Sequence, residues 1–174
     1  MPPMTDTILP KSFTSPTHGQ MNWDETLKKI AWFMALDTGA SYDLIIGTDS
    51  EAVNGSSDFV SAVIVHKKGR GGVYFWGRQK IAHLNSMKQR IWQEATLSLN
   101  LAQRLVDDFA KMGLFDISNG FSSGLNLEIH VDIGPNGPTR ELIADIVGMI
   151  RANGFKVATK PSSWGASHVA DRHV

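Results

Sequence analysis

The 174-residue chain contains no cysteine, and this absence excludes several kinds of site and scaffold. Without thiols the chain can form neither a disulfide framework nor a thiolate zinc site. No apolar run approaches the roughly 20 residues that a membrane-spanning helix needs. The N-terminal stretch MPPMTDTILPK also lacks the apolar core of a secretion signal. We therefore expect a soluble, cytoplasmic protein with no membrane partner.

The chain also lacks a net charge, because 17 lysines and arginines balance 17 aspartates and glutamates. Overall charge therefore neither predicts nor excludes a polyanionic partner, and only local charge patterns are informative. The hydrophobic content of 42% is sufficient for a sizeable core, and the chain length favours one domain.

The first half of the chain shows a tail, a helix and three strands. Residues 1–20 contain four prolines and no helical or strand periodicity, so we predict a flexible tail. The stretch NWDETLKKIAWFMALD predicts a helix at about residues 22–37, capped by Asn22 with Glu25 in the capping-box position. Two turn sequences, NGSS and GRGG, separate the segments of a predicted antiparallel meander: YDLIIGTDS, DFVSAVIVHKK and GGVYFWGRQKIAH.

The second half alternates helices with strands. A long helical pattern at about residues 87–112 precedes the strand LNLEIHVDIG, a helix from Pro138 to Gly154, the strand FKVAT and a last short helix. Connections after the long helix should be right-handed crossovers, so the two later strands should lie parallel to the first strand. The predicted fold is α/β, with a mixed five-stranded sheet of three antiparallel strands plus two parallel additions.

Two aspartates are predicted at the carboxyl ends of neighbouring parallel strands, where ligands collect in open sheets. Asp49 follows the apolar run LIIG, and Asp132 lies in HVDIG before the loop GPNGPT. Either aspartate alone is also explained as a turn residue at a strand end. As a pair, they are placed for chemistry.

Two further acidic residues could join this pair. Glu94 lies on the apolar face of the long predicted helix, where an unpaired carboxylate needs a proton, a cation or a metal. Asp171 lies one helical turn after His168, so both could point at the same site; a solvated aspartate and a surface histidine explain them equally well. Together, four carboxylates would require a counter-charge, and hard oxygen ligands favour two Mg²⁺ or Mn²⁺ ions. Such an ion pair can cleave phosphodiesters.

Four stretches between residues 42 and 174 together resemble the ribonuclease H-like superfamily and, more closely, its bacterial YkuK-type family: IGTDS, QEATLSL, HVDIGPNGPTREL and ASHVAD. The resemblance implies a single ribonuclease H-like domain over residues 21–174, with a mixed five-stranded sheet flanked by helices. It also implies a two-metal acidic site, whose members would be Asp49, Glu94, Asp132 and Asp171. The ending HVAD is similar to that of Holliday-junction resolvases of the same fold, which makes His168 a candidate accessory ligand or water-orienting group.

Basic residues are concentrated between Phe59 and Gln93, a stretch without any acidic residue. Lys67 and Lys68 precede its GRGG turn, and Arg70 lies within it. All three are candidate phosphate contacts, although a solvated hairpin explains them equally well. A phosphate could also be held in the loop GPNGPTR by backbone amides and Arg140.

The leading hypothesis is a metal-dependent nuclease or phosphodiesterase with a two-metal carboxylate site and nucleic acid as its partner. One alternative is a non-catalytic nucleic-acid-binding module on the same fold. Another is a nucleotide-phosphate-binding phosphotransferase, because GTDS and DIGPNGPTR are similar to phosphate loops of the actin-like ATPase fold. Those enzymes need two such domains, and the present chain has the length of one.

Overall fold

The computed structural model describes residues 9–84, 86–116, 120–121 and 124–174. The strands in this part of the chain are β1 (Phe13–Ser15), β2 (Gly19–Met21), β3 (Tyr42–Val53), β4 (Ser56–Lys67), β5 (Gly72–Ala82), β6 (Phe115–Asp116), β7 (Gly120–Phe121), β8 (Leu125–His130) and β9 (Lys156–Ala158). The α-helices are α1 (Trp23–Ala35), α2 (Met87–Lys111) and α3 (Ile143–Ala152). Shorter helical turns cover Arg140–Leu142, Ala166–Ala170 and Asp171–His173. None of these described helices is long and apolar enough to cross a membrane.

The main sheet is mixed and has seven strands in the order β2-β1-β5-β4-β3-β8-β9. The strands β3, β8 and β9 pair in parallel, and the other neighbours pair antiparallel. The predicted α/β sheet flanked by helices is therefore confirmed, as are its meander and its two parallel additions. The predicted number of five strands is wrong, because β1 and β2 extend the sheet beyond β5.

The prediction of a flexible tail over residues 1–20 is wrong from Phe13 onward, while residues 1–8 lie outside the described part. The β1 and β2 strands have only three residues each, too few to show an alternating pattern in the sequence. Phe13 is fully buried, with its ring centroid 5.2 Å from that of Trp23, and Thr14 pairs with Trp76 of β5. These contacts with distant residues order the segment.

The predicted helix at about residues 22–37 is observed as α1. Asn22 accepts a hydrogen bond from the backbone of Glu25, and the Glu25 side chain accepts one from the backbone of Asn22, which completes the capping box. The Trp23 indole nitrogen donates to Asp108 Oδ2 at 2.8 Å. This buried bond joins the start of α1 to the end of α2.

Alternation along β3 divides its side chains between the two faces of the sheet. Leu44 and Ile46 belong to the main core, which also contains residues of α1, α2 and α3. Ile45 points the other way, toward Gly165, where a β-carbon would come within 2.5 Å of Ile45 Cγ2. The three helices thus share one core, while residues 164–174 cover the opposite face of the central strands.

Candidate active site

Asp49 lies inside β3, and the prediction that it ends the strand is wrong. Parallel pairing between β3 and β8 stops at Gly47 and His130, but antiparallel pairing with β4 continues to Val53. Asp49 therefore lies just beyond the point where β3 loses one of its two neighbours. The resulting gap beside the half-buried Asp49 is where the loop after β8 begins.

Asp132 lies in that loop, two residues beyond β8. The backbone nitrogen of Val131 donates to Ala158 O at 3.0 Å, which keeps the chain beside β9 up to this point. Lys160 Nζ lies 3.1 Å from Asp132 Oδ2, and the Lys160 backbone nitrogen donates to Ile133 O at 2.8 Å. Asp132 Oδ1 is buried without a hydrogen-bond partner. One carboxylate oxygen is thus neutralised, and the other is left unsatisfied.

Glu94 projects from α2 toward β3, as the helical spacing predicts. Ser50 Oγ donates to Glu94 Oε1 at 2.6 Å, and Ser98 Oγ donates to Thr48 Oγ1 at 2.8 Å. These two bonds link α2 to β3 on either side of Asp49. Glu94 and Asp132 line one small pocket together with Thr48. The strand and the helix therefore hold Glu94 next to the other carboxylates.

Asp171 approaches from the opposite face of the sheet, in the short helical turn Asp171–His173. Its carboxyl group lies close enough to that of Asp49 to raise the Asp49 pKa. Two carboxyl groups this close cannot both ionise without a cost in free energy. Asp49 is thus the link between Asp171 on one face and Glu94 on the other.

Burial and mutual repulsion raise the pKa values of the two inner carboxylates. Burial is the main cause that raises the pKa of Asp49 to about 7. The neighbouring Asp171 and Asp132 also raise this pKa, whereas the backbone N–H of Ser50 lowers it. Burial likewise raises the pKa of Glu94 to about 8; Asp49 and Asp132 reinforce this, and Ser50 and Arg90 oppose it. Near neutral pH, Asp49 and Glu94 therefore retain protons unless a cation replaces them.

The family resemblance implies divalent cations. The carboxylate oxygens are suitable ligands for such cations, but their present arrangement does not form a metal site. Among residues 9–84, 86–116, 120–121 and 124–174, no group of three or more His, Asp or Glu side chains could hold a metal ion as it stands. Each carboxyl group has another partner: Ser50 for Glu94, Lys160 for Asp132 and Asp171 for Asp49. The donors are nevertheless the oxygens that Mg²⁺ and Mn²⁺ prefer, and the unsatisfied Asp132 Oδ1 is available to a cation.

Two other predicted residues lie in segments that adjoin the carboxylates along the chain. His168 is exposed in the turn Ala166–Ala170, which leads directly into Asp171. Arg140 is exposed at the start of the turn Arg140–Leu142, after the loop in which Gly134 N donates to Thr139 Oγ1 at 3.4 Å. Both remain candidates because of their position in the fold.

The three basic residues of the GRGG hairpin do not join the carboxylates. Lys67 pairs with Tyr42 across β4 and β3, and Tyr42 lies seven residues from Asp49, which corresponds to roughly 23 Å along the strand. Lys67 forms an ion pair with Asp37, and Lys68 Nζ lies 3.4 Å from Asp43 Oδ1. Lys67, Lys68 and Arg70 are therefore at the opposite end of the sheet, and both lysines have local carboxylate partners.

Lys160 and Ser50 contact the carboxylates but are absent from the sequence-based candidates. Lys160 follows β9 by two residues, so the strand-end rule that identifies Asp132 also applies to Lys160. Ser50 adjoins Asp49 in β3, and nothing in its local sequence indicates that it would face Glu94 on α2. The sequence therefore contains a signal for Lys160, whereas the contact of Ser50 with Glu94 depends on how α2 packs.

Comparison with known proteins places these residues in a family context. A family model described as ribonuclease H-like matches residues 25–174, a range that contains all four carboxylates. The chain is 30% identical over 179 residues to the uncharacterized protein YkuK of Bacillus subtilis (strain 168), and the alignment covers 97% of this chain and 98% of that protein. No solved structure matches the chain.

Proposed function

The chain belongs to the ribonuclease H-like family and is of the YkuK type, and from this membership we propose that it is a metal-dependent nuclease or phosphodiesterase acting on nucleic acid. The proposal is supported by the proximity of carboxylates from four separate segments: Glu94 and Asp132 line one pocket, and Asp132 and Asp171 both lie close enough to Asp49 to raise its pKa. Maintaining such a group costs stability, since buried carboxylates repel one another. A requirement for divalent cations accounts for that cost.

In the proposed enzyme these four carboxylates hold two Mg²⁺ or Mn²⁺ ions. When bound, such cations supply an activated water and stabilise the leaving oxygen of a phosphodiester. Ser50 keeps Glu94 oriented toward the site through its 2.6 Å hydrogen bond. Burial raises the pKa values of Asp49 and Glu94, so both would release their protons to solvent when bound cations supplied the counter-charge.

Substrate phosphate is proposed to contact Lys160 and Arg140. The Lys160 side chain is 52% exposed and flexible, so its ammonium group can move from Asp132 to an incoming phosphate. Lys67, Lys68 and Arg70 are too distant to touch the same phosphate and would contact only a longer nucleic acid. His168 is proposed as an accessory ligand or water-orienting group, on the basis of its place one turn before Asp171.

One observation favours the non-catalytic alternative, a nucleic-acid-binding module. Lys160 Nζ lies 3.1 Å from Asp132 Oδ2 and supplies a positive charge at a proposed metal ligand. A fold that had lost its metals could retain such a lysine as a permanent counter-charge. The two functions differ in whether Asp132 exchanges Lys160 for a cation.

Cleavage assays with an Asp49→Asn control test the proposed function. The substrates are single-stranded, duplex, hybrid and four-way-junction nucleic acids, each with Mg²⁺ and then Mn²⁺. The native protein is expected to cleave at least one of them, and Asp49→Asn should bind that substrate without cleaving it, because metal activation of water is lost while phosphate contacts remain. Binding without cleavage in either metal would replace the nuclease by the binding module. Neither binding nor cleavage would contradict both.

A further inference from the structure

Residues 164–174 carry Asp171 across the face of the sheet that α2 does not cover. Ala170, the residue before Asp171, is fully buried and packs with Val60 and Ala62 of β4. Asp171 itself is exposed. Its own side chain therefore contributes little burial energy toward holding it beside Asp49.

His173 makes the most specific contacts of this segment, all of them with β5. Its ring stacks on Trp76 with the centroids 4.4 Å apart and the planes 8° from parallel. Its Nε2 lies 3.2 Å from the Tyr74 hydroxyl, and Arg78 donates a hydrogen bond to its backbone carbonyl. Three side chains of one strand thus hold a single residue, which lies in the same helical turn as Asp171.

The beginning of the segment is fixed independently at Gly165. Its backbone nitrogen donates to the Nδ1 of the buried His130 at 3.0 Å. A β-carbon at this position would lie 2.5 Å from Ile45 Cγ2, so only glycine allows the backbone to approach the sheet this closely. With Gly165 and His173 both held, the residues between them have little freedom to move away from β3.

We propose that His173 is a positioning residue that holds Asp171 against Asp49. Because the Asp171 side chain is exposed, its own burial does not hold it beside Asp49, and other interactions must support the Asp49–Asp171 contact. His173, two residues after Asp171, provides that support by stacking on Trp76 and by its hydrogen bond to Tyr74. The role of this arrangement in metal binding rests on the proposed function, whereas the positioning of Asp171 does not.

A double-mutant cycle in EDTA at pH 8 tests the positioning without any metal. Asp171→Asn replaces a repelling carboxylate by an amide that can donate to Asp49, and it should raise the melting temperature by about 2–4 °C in the native background and by less than about 1 °C with His173→Ala. The two substitutions are coupled because the new amide can donate to Asp49 only when His173 holds residues 164–174 in place. An equal shift in both backgrounds would overturn the proposal.

The same variants, titrated with Mn²⁺, test the consequence for metal binding. His173→Ala should weaken Mn²⁺ binding by about tenfold, and adding it to Asp171→Asn should cause no further loss. A purely structural role for His173 would instead give additive losses. Unchanged affinity in His173→Ala would show that His173 does not act through Asp171 in the loaded protein. If the native protein binds no Mn²⁺, the proposed function fails, and the cycle in EDTA still decides the positioning.

His173→Phe is the conservative control. Its ring cannot form a hydrogen bond with the Tyr74 hydroxyl, but it can stack on Trp76. Because stacking is retained, His173→Phe should restore most of the Asp171–His173 coupling that alanine removes. If phenylalanine behaves like alanine in the EDTA cycle, ring stacking on Trp76 does not hold Asp171, and the part of the proposal that assigns the support to stacking is overturned.

Discussion

Replacing Glu94 by glutamine is expected to stabilise the metal-free protein at neutral pH. Burial raises the Glu94 pKa from 4.5 to about 8, so between these values the folded protein retains a proton that the unfolded chain releases. Stability is therefore highest below the unfolded pKa and falls as the pH rises through the folded pKa. Glutamine does not titrate, and its carbonyl can still accept the hydrogen bond from Ser50 Oγ.

The magnitude follows from the width of that pH window. A shift of one pKa unit corresponds to about 1.4 kcal/mol, so the shift at Glu94 costs the native protein an upper limit of roughly 5 kcal/mol above pH 8 and roughly 3 kcal/mol at pH 7. Relaxation around the ionised group reduces both values. We expect Glu94→Gln to gain about 2 kcal/mol at pH 7 in EDTA and to weaken the pH dependence between pH 5 and 8, leaving the part that comes from Asp49.

Urea unfolding between pH 5 and 9 in EDTA measures this effect. Glu51→Gln is the matched control, since it makes the same chemical change at an exposed carboxylate on the same strand as Asp49. The control should unfold at the same urea concentration as the native protein. If Glu94→Gln is less stable than the native protein at pH 8, or retains the native pH dependence, the assignment of Glu94 as a buried, strained acid is wrong.

Two further predictions concern Asp132 and the basic hairpin. Asp132→Asn should leave thermal stability in EDTA equal or higher, because the partner Lys160 is exposed enough to be solvated, but it should abolish any stabilisation by Mg²⁺; a large loss in EDTA would mark Asp132 as structural. Replacing Lys67, Lys68 and Arg70 together should weaken binding of long nucleic acids and flatten its salt dependence, while a dinucleotide substrate should be unaffected in a fluorescence titration. Equal losses for short and long ligands would place the hairpin closer to the carboxylates than the sheet allows.

The parts of the fold that the sequence predicts correctly depend on local signals or on chain handedness. Asn22 and Glu25 are three residues apart, so the capping box that begins α1 can be read directly. The parallel placement of β8 and β9 follows from right-handed crossovers and needs no knowledge of side-chain contacts. Glu94 is identified as an acid on an apolar helical face, and its surroundings on that face are indeed buried.

The parts that the sequence does not predict depend on which elements become neighbours. The strands β1 and β2 form because Phe13 packs on Trp23 and Thr14 pairs with Trp76, contacts that no short window of sequence contains. Asp49 is surrounded by strand on both sides because β4 extends farther along β3 than β8 does. A local pattern indicates that a strand is present, but its neighbours decide where it ends.

The hairpin that carries Lys67, Lys68 and Arg70 shows that a local sequence pattern does not predict which residues share a functional site. Its position also constrains the size of the substrate. A count of charges along the chain groups Lys67 and Lys68 with the site, yet the register of β3 and β4 puts them roughly 23 Å from Asp49. That distance corresponds to about seven base pairs of duplex at 3.4 Å each. A small phosphodiester could therefore contact only the Arg140 and Lys160 end, whereas a nucleic acid longer than this could reach both ends of the sheet. Dependence of binding on length, with a threshold near this span, would distinguish a nuclease from a phosphodiesterase of small nucleotides.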